Sequence, residues 1–193
     1  MKKAIVLGGS RGIGKAISDA LKSLDIQVVA TSKADVDTSN LESVRKFSNE
    51  HNGVDILVLN TGGPPVIDFK KISENDWNHF HNQLFVGFCT MLQEISINDN
   101  GYIFVITSNV IKEPNSKLII SSAYRAAFSS VFKIPALPFF KIPKLFINTF
   151  LISFRDLASG VIKNSPSIIY PVSYTHLRAH ETREDSGWRG GGG

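Results

Sequence analysis

Cysteine is almost absent: the 193-residue chain carries a single one, Cys89. One thiol builds no disulfide framework, and its setting in an apolar helical stretch reads as a buried, inert group rather than a nucleophile. A reducing, cytoplasmic setting follows as the expectation. Long apolar runs are missing too. Lys2 and Lys3 precede only a short apolar run before a glycine turn, too short for a signal-peptide core. The greasiest zone, residues 134–154, is broken by Pro135, Pro138, Pro143, Lys141 and Lys144, which excludes it as a membrane span. Charge of one sign is scarce: 21 Lys and Arg against 17 Asp and Glu leave a scattered +4. With no basic run interleaved with aromatics, nucleic acid is not an expected partner. Internal repeats and low-complexity blocks are also lacking.

What the chain does have is glycine in one informative place. Gly8-Gly9-Ser10-Arg11-Gly12-Ile13-Gly14 lies between an apolar strand signal, Ala4-Ile5-Val6-Leu7, and a helix whose apolar face continues through Ala16, Ile17, Ala20 and Leu21. Glycines 8, 12 and 14 let the chain turn sharply, bring backbone against a pyrophosphate, and pack helix on strand. The first N–H groups of that helix then face an anion. A strand, a glycine turn and a helix in this order form a phosphate cradle of the dinucleotide-binding kind.

The alternation continues downstream. Residues 27–31 read as a second buried parallel strand, and Leu41 to His51, opened by Thr38, Ser39 and Asn40, as the next helix. Asp35-Val36-Asp37 is expected to be the end of a short third strand, with no helix between it and the second. Residues 55–59 form the next strand signal, residues 73–93 a long helix with Trp77, Phe80, Leu84, Phe85, Phe88, Met91 and Leu92 on its inner face, and residues 101–108 a further strand. A helix over about 116–133 and a strand over 146–152 complete the pattern. The fold class expected is α/β, a Rossmann-like doubly wound parallel sheet in one domain over residues 1–155. Residues 156–171 remain unassigned. Residues 172–193, from Val172-Ser173-Tyr174-Thr175-His176 to the closing glycines, read like a translated sequencing adapter and are set aside as a non-native tail.

These residues resemble the short-chain dehydrogenases/reductases. That family's first motif is Thr-Gly-x-x-x-Gly-x-Gly; here Leu7 replaces the threonine, while Gly8, Gly12 and Gly14 match. Its second motif, Asn-Asn-Ala-Gly, corresponds to Asn60-Thr61-Gly62-Gly63, where Asn60 and Gly62 fit and Thr61 and Gly63 depart. The resemblance implies a nicotinamide dinucleotide held by Gly8, Ser10, Arg11, Gly12, Ile13 and Gly14, with Asn60 and Gly62 closing the site. Asp35 and Val36 resemble the pair that contacts adenine, Asp35 rather than Asp37. An acid at the end of the second strand would favour NAD, but Thr31-Ser32-Lys33 offers none. Lys33, beside Ser32, and Arg11 are suited to bracket a 2′-phosphate, which favours NADP and leaves NAD open.

The catalytic pattern departs further. The family tetrad is Asn, Ser, Tyr and Lys, the last two as Tyr-x-x-x-Lys. Ser108 matches the serine and would hydrogen-bond a substrate carbonyl oxygen. The tyrosine and lysine positions hold Ser121 and Arg125, which share one helix face at four-residue spacing. Arg125 can hold the nicotinamide ribose, whereas the Ser121 hydroxyl is too weak an acid to replace a phenol. Tyr124, a turn away, is the nearby phenol and reads first as a packing residue. Leu84 stands at the asparagine position, with Asn82 on another face. His79 and His81 are spaced wrongly for a shared metal, and none is expected. No Pro-Gly lid motif follows, and Pro135 and Pro138 interrupt the active-site helix at about 3 kcal/mol each. Either an altered reading frame or chimeric junction near Lys133, or a genuinely divergent lid, accounts for this, and a C-terminally incomplete domain is expected. The resemblance implies an oxidoreductase acting on a carbonyl or hydroxyl of a small molecule, in a parent protein that is a homo-oligomer through its two long helices. Loss of the tyrosine supports an alternative: a dinucleotide-binding sensor or assembly protein without turnover.

Overall fold

The structure is a computed structural model that describes residues 1–131 and 144–148. Its centre is strand β1 (Lys3–Val6), which pairs in parallel with β2 (Gln27–Ala30) on one side and β3 (Val54–Leu59) on the other. Strand β4 (Ile97–Ile106) pairs with β3, and β5 (Lys144–Asn148) pairs with β4, again in parallel. The order β2-β1-β3-β4-β5 reverses direction at β1, and in open α/β sheets a crevice forms outside the carboxyl ends of the strands at that reversal. Register makes the crevice: Val6 is paired with Val58 and Leu7 N–H donates to the Val58 carbonyl at 3.0 Å. Both strands therefore end level, and the turns after them open side by side.

Side-chain alternation along the strands separates two cores. Ile5, Leu7, Leu57, Leu59, Ile103 and Val105 face helices α2 (Leu41–Glu50), α4 (Gly87–Glu94) and α5 (Ile119–Val131) through Val44, Phe47, Phe88, Met91 and Phe128. Ala4, Val6, Ile56, Val58 and Phe104 face the other way, onto Ile17 and Leu21 of α1 (Gly12–Lys22). Burying a leucine such as Leu21 fully contributes roughly 1.5–3 kcal/mol, so each face holds its helices firmly. The expected α/β doubly wound sheet, in a single domain, is what the chain adopts.

Individual elements differ from expectation in physical detail. Residues 35–37 form no strand; the Asp35 carboxylate accepts from the Ser32 amide and hydroxyl, both at 2.7 Å, and turns the chain back before it can extend. The expected helix over 73–93 is three pieces. Helix α3 (Glu74–His81) opens with a Ser73–Asp76 capping box, residues Asn82–Val86 take a wide π turn, and α4 follows. Leu84, Phe88 and Met91 are buried as expected, but α3 buries no residue fully, and Trp77 and Phe80 are half-buried. Strand β4 begins earlier than expected and ends before Thr107 and Ser108. Strand β5 begins two residues before the expected 146–152 strand, whose residues 149–152 lie outside the described ones. The junction near Lys133, Pro135 and Pro138, the 155 boundary, residues 156–171 and the tail of 172–193 lie outside the described residues.

Candidate functional site

Where β1 and β3 end, the glycine turn and the Asn60 turn enclose a cleft of about 440 Å³. Gly8 and Gly12 take left-handed φ values of 58° and 55°, a conformation that costs other L-residues about 1–2 kcal/mol. The turn delivers α1 without a side-chain cap and without an acid in its first turn, whereas α2 is capped by Asn40 and carries Glu42. An uncapped N-terminus facing a cleft leaves amide donors and a positive dipole end for an anion.

Two glycines that do not present themselves to the cleft shape it from behind. A Cβ on Gly14 would run into the Gly8 carbonyl and stand 2.9 Å from Asn60 Nδ2. A Cβ on Gly9 would stand 2.8 Å from both Ser18 Oγ and the Val6 carbonyl. Bare backbone at both positions lets the loop lie flat on α1 and β1. Asn60 locks it there, its side-chain amide donating to the Leu7 and Gly8 carbonyls at 3.1 and 3.3 Å. Gln83, brought inward by the π turn, donates to Thr61 Oγ1 at 3.1 Å and to the Gly62 carbonyl at 3.0 Å. The two amides together fix the glycine turn and the β3 exit.

Most of the cofactor positions expected from sequence meet at this cleft. Gly8, Ser10, Arg11, Gly12, Ile13, Ser32, Lys33, Val36, Asn60 and Gly62 line it. Gly14 and Asp35 do not: Gly14 acts through packing, and Asp35 is turned onto Ser32. Hydrogen bonds from Ser32 hold the Asp35 carboxyl below its ordinary range. Asp37 lines the cleft instead, with Thr38, Thr61, Gln83 and Leu7, none of which was expected there. Burial works to raise the Asp37 carboxyl, but the Ser39 hydroxyl and amide and the Lys33 ammonium outweigh it and leave it lowered. Lys33 Nζ lies 3.3 Å from Asp37 Oδ2. The cleft therefore carries two cations, Arg11 and Lys33, and one acid, Asp37.

The three expected catalytic residues are not among those lining the cleft. Ser121 and Arg125 do come together: Arg125 Nε donates to Ser121 Oγ and its Nη1 to the Ile106 carbonyl, both at 3.1 Å. This ties α5 to the end of β4. Its Nη2 lies 4.0 Å from where a Cβ of Gly63 would stand, so the pair sits beside the β3 exit, just past the cleft. Burial pushes the guanidinium below its ordinary value. Ser108 lies beyond β4, half-buried, and its carbonyl accepts from Ile111 N–H at 3.2 Å. Tyr124 donates its hydroxyl to the Trp77 carbonyl at 3.1 Å and meets that indole edge-on, joining α5 to α3. Burial raises its phenol, as it raises the half-buried Cys89 thiol. His81 stacks on Phe85 and His79 meets Phe80 edge-on. Among the described residues no His, Cys, Asp and Glu group could hold a metal ion, and no helix is long and apolar enough to cross a membrane.

Comparison with known proteins adds the following. No family profile matches the chain. A segment of 113 residues is 28% identical to an acetoacetyl-CoA reductase of Shinella zoogloeoides, covering 48% of this chain and 47% of that protein. The chain thus spans about half the length of this curated relative. A crystal structure of a small-chain dehydrogenase superposes with a TM-score of 0.69 at 19% identity, over 84% of this chain and 90% of the other. Another small-chain dehydrogenase, solved with NADPH, gives a TM-score of 0.65 at 20% identity over 73% and 66% of the two chains. At these identities the solved structures show a shared fold.

Proposed function

We propose that this chain is an oxidoreductase of the short-chain dehydrogenase/reductase type that uses NADP and acts on a carbonyl or hydroxyl group of a small molecule. The observation that carries the reading is the uncapped start of α1, opening onto a cleft behind which Gly14 and Gly9 leave no room for side chains. Such a cradle fits a pyrophosphate. Arg11, Ser32 and Lys33 on its adenine side, with no acid at the end of β2, support NADP over NAD; the Lys33–Asp37 pair works partly against it. The 28% identity to an acetoacetyl-CoA reductase and the fold shared with an NADPH-bound dehydrogenase support the same class.

The bound dinucleotide would supply or accept a hydride. Arg11, Gly12 and Ile13 would receive the pyrophosphate, Val36 and Asp37 the adenine, and Asn60 and Gly62 would hold the wall towards the nicotinamide. Ser108 would donate to the substrate carbonyl oxygen, and Ser121 with Arg125 would orient the nicotinamide ribose. Ser121 holds its proton too tightly to release it near neutral pH, and Tyr124 spends its hydroxyl on the Trp77 carbonyl. The proton that balances hydride transfer to a carbonyl carbon therefore comes from water or from the substrate. A cytoplasmic setting and a homo-oligomer built on α3, α4 and α5 complete the reading.

That same commitment of Tyr124 favours a second reading, a dinucleotide-binding or assembly protein without turnover. NADPH fluorescence titrated with and without a panel of carbonyl compounds separates the two. The first reading expects saturable binding and slow consumption, with Gly12→Asp abolishing both. Binding without consumption across the panel favours the second, and absence of NADPH binding overturns both.

A further inference from the structure

No acid follows β2 directly at residues 31–33, yet the folded chain brings one to the cleft. The Ser32 amide and hydroxyl donate to the Asp35 carboxylate, and the Ser32 carbonyl accepts from the Asp35 and Val36 amides at 3.2 Å. This turn sets Lys33 and Asp37, four residues apart, against each other in the cleft lining, with Nζ 3.3 Å from Oδ2. The two ends of the pair are held very differently. Asp37 is fixed: its Oδ1 accepts from the Ser39 amide at 2.9 Å and the Ser39 hydroxyl at 2.7 Å, and its own amide donates to Ser43 Oγ at 3.1 Å. Lys33 carries its ammonium on a flexible four-carbon stem, with a side chain 73% exposed against 29% for Asp37. The cation therefore moves to the carboxylate, not the carboxylate to the cation.

A 2′-phosphate that is to use Lys33 must draw it away from Asp37. NADH, with a hydroxyl in that place, makes no such demand. We infer that Asp37 is a positioning residue for cofactor specificity: it holds Lys33 back from the 2′-phosphate, so that this chain takes both NADPH and NADH, with only a modest preference for the first. The inference rests on the dinucleotide reading above, and it leaves Arg11 with the larger share of phosphate recognition. An ion pair this exposed is worth little, so the expected effect is small and specific: about two- to fivefold, on the phosphorylated cofactor alone.

The test measures NADPH and NADH affinities of the full chain by cofactor fluorescence. In the unmodified protein one effective cation should leave the two affinities within about tenfold of each other, the worth of a single charge-assisted contact. A larger ratio means that both cations reach the phosphate and overturns the assignment, whether or not any variant folds. Asp37→Asn keeps a side-chain oxygen to accept from Ser39 and removes the charge. It should raise the ratio of NADPH to NADH affinity about two- to fivefold, through NADPH alone. In a Lys33→Gln background the same substitution should move that ratio by less than half as much on a logarithmic scale, because Asp37 acts through Lys33. An equal change for both dinucleotides makes Asp37 a structural member of the Ser39 turn, and an undiminished effect without Lys33 makes it a direct repulsion. Either result overturns the assignment, as does an unchanged ratio in Asp37→Asn. Failure of the unmodified chain to bind either dinucleotide sinks the dinucleotide reading itself, whereas binding with an unmoved ratio sinks the role of Asp37 alone.

Discussion

Gly14→Ala sets two physical effects against each other at one atom. Gly14 is in α1 with an ordinary helical φ, so by propensity alone alanine should stabilise the helix by about 1 kcal/mol. Packing says the opposite. The added methyl would be driven into the Gly8 carbonyl, which is backbone, and to 2.9 Å from Asn60 Nδ2, which is itself held by two carbonyls. Neither neighbour is the loose end of a flexible side chain, so the helix or the loop must shift, at an overpacking cost of about 1–3 kcal/mol. Packing is expected to win by up to roughly 2 kcal/mol, with loss of the Asn60 bonds and at least about a tenfold loss of NADPH affinity. Gly12→Ala is the matched control, since its methyl would meet nothing within 4 Å but must adopt φ 55°. There the left-handed penalty of about 1–2 kcal/mol is partly offset by about 0.4–1 kcal/mol of lost unfolded-state freedom. Urea unfolding midpoints of the three proteins, with NADPH titrations alongside, make the comparison. A Gly14→Ala protein more stable than its parent and unchanged in NADPH affinity would refute the close-packing account of the loop.

Two further outcomes follow from local bonds. Tyr124→Phe should cost about 0.5–1.5 kcal/mol, through the lost bond to the Trp77 carbonyl, while leaving NADPH affinity within about twofold; a selective loss of turnover with unchanged stability would instead return Tyr124 to the chemistry. The Asp35 carboxyl is held below its ordinary value by the Ser32 amide and hydroxyl, so its contribution is fully present above the ordinary carboxylate range and disappears as pH falls through the lowered folded value. Asp35→Asn should therefore flatten the acid limb of unfolding midpoint against pH, and parallel curves for the two proteins would contradict the assignment.

The fold was legible because its signals are local and repetitive. Ile5 and Val6 alternate between the two faces of β1 and so do Leu57 and Val58 on β3, so an uninterrupted apolar run reads as a strand covered on both sides. Glycine spacing located the cleft for the same reason: Gly8 and Gly12 need left-handed backbone, and Gly14 needs close approach, within one short loop. What failed was short polar sequence. Asp35-Val36-Asp37 alternates like a strand end, yet a carboxylate three residues from Ser32 can bond back to that residue's amide, and the local turn prevails over extension. The same turn explains why Asp37 rather than Asp35 reaches the cleft.

Gln83 was illegible for a different reason. Sequence places residues on a helix by assuming 3.6 per turn, and under that assumption the inward position near the site is Leu84. The π turn over Asn82–Val86 leaves Leu84 in the core, while Gln83 bonds to Thr61 and Gly62. Gly87 closes that turn where a Cβ would collide with the Thr38 carbonyl, so the wide turn and the close contact with the Thr38 loop occur together. A helix that must touch both the β3 exit and the Thr38 loop has its spacing fixed by two contacts distant in sequence, and no local pattern encodes both. The polar residue from this helix that supports the cleft is therefore defined by tertiary geometry, and its role is to hold the Thr61–Gly62 backbone at the β3 exit.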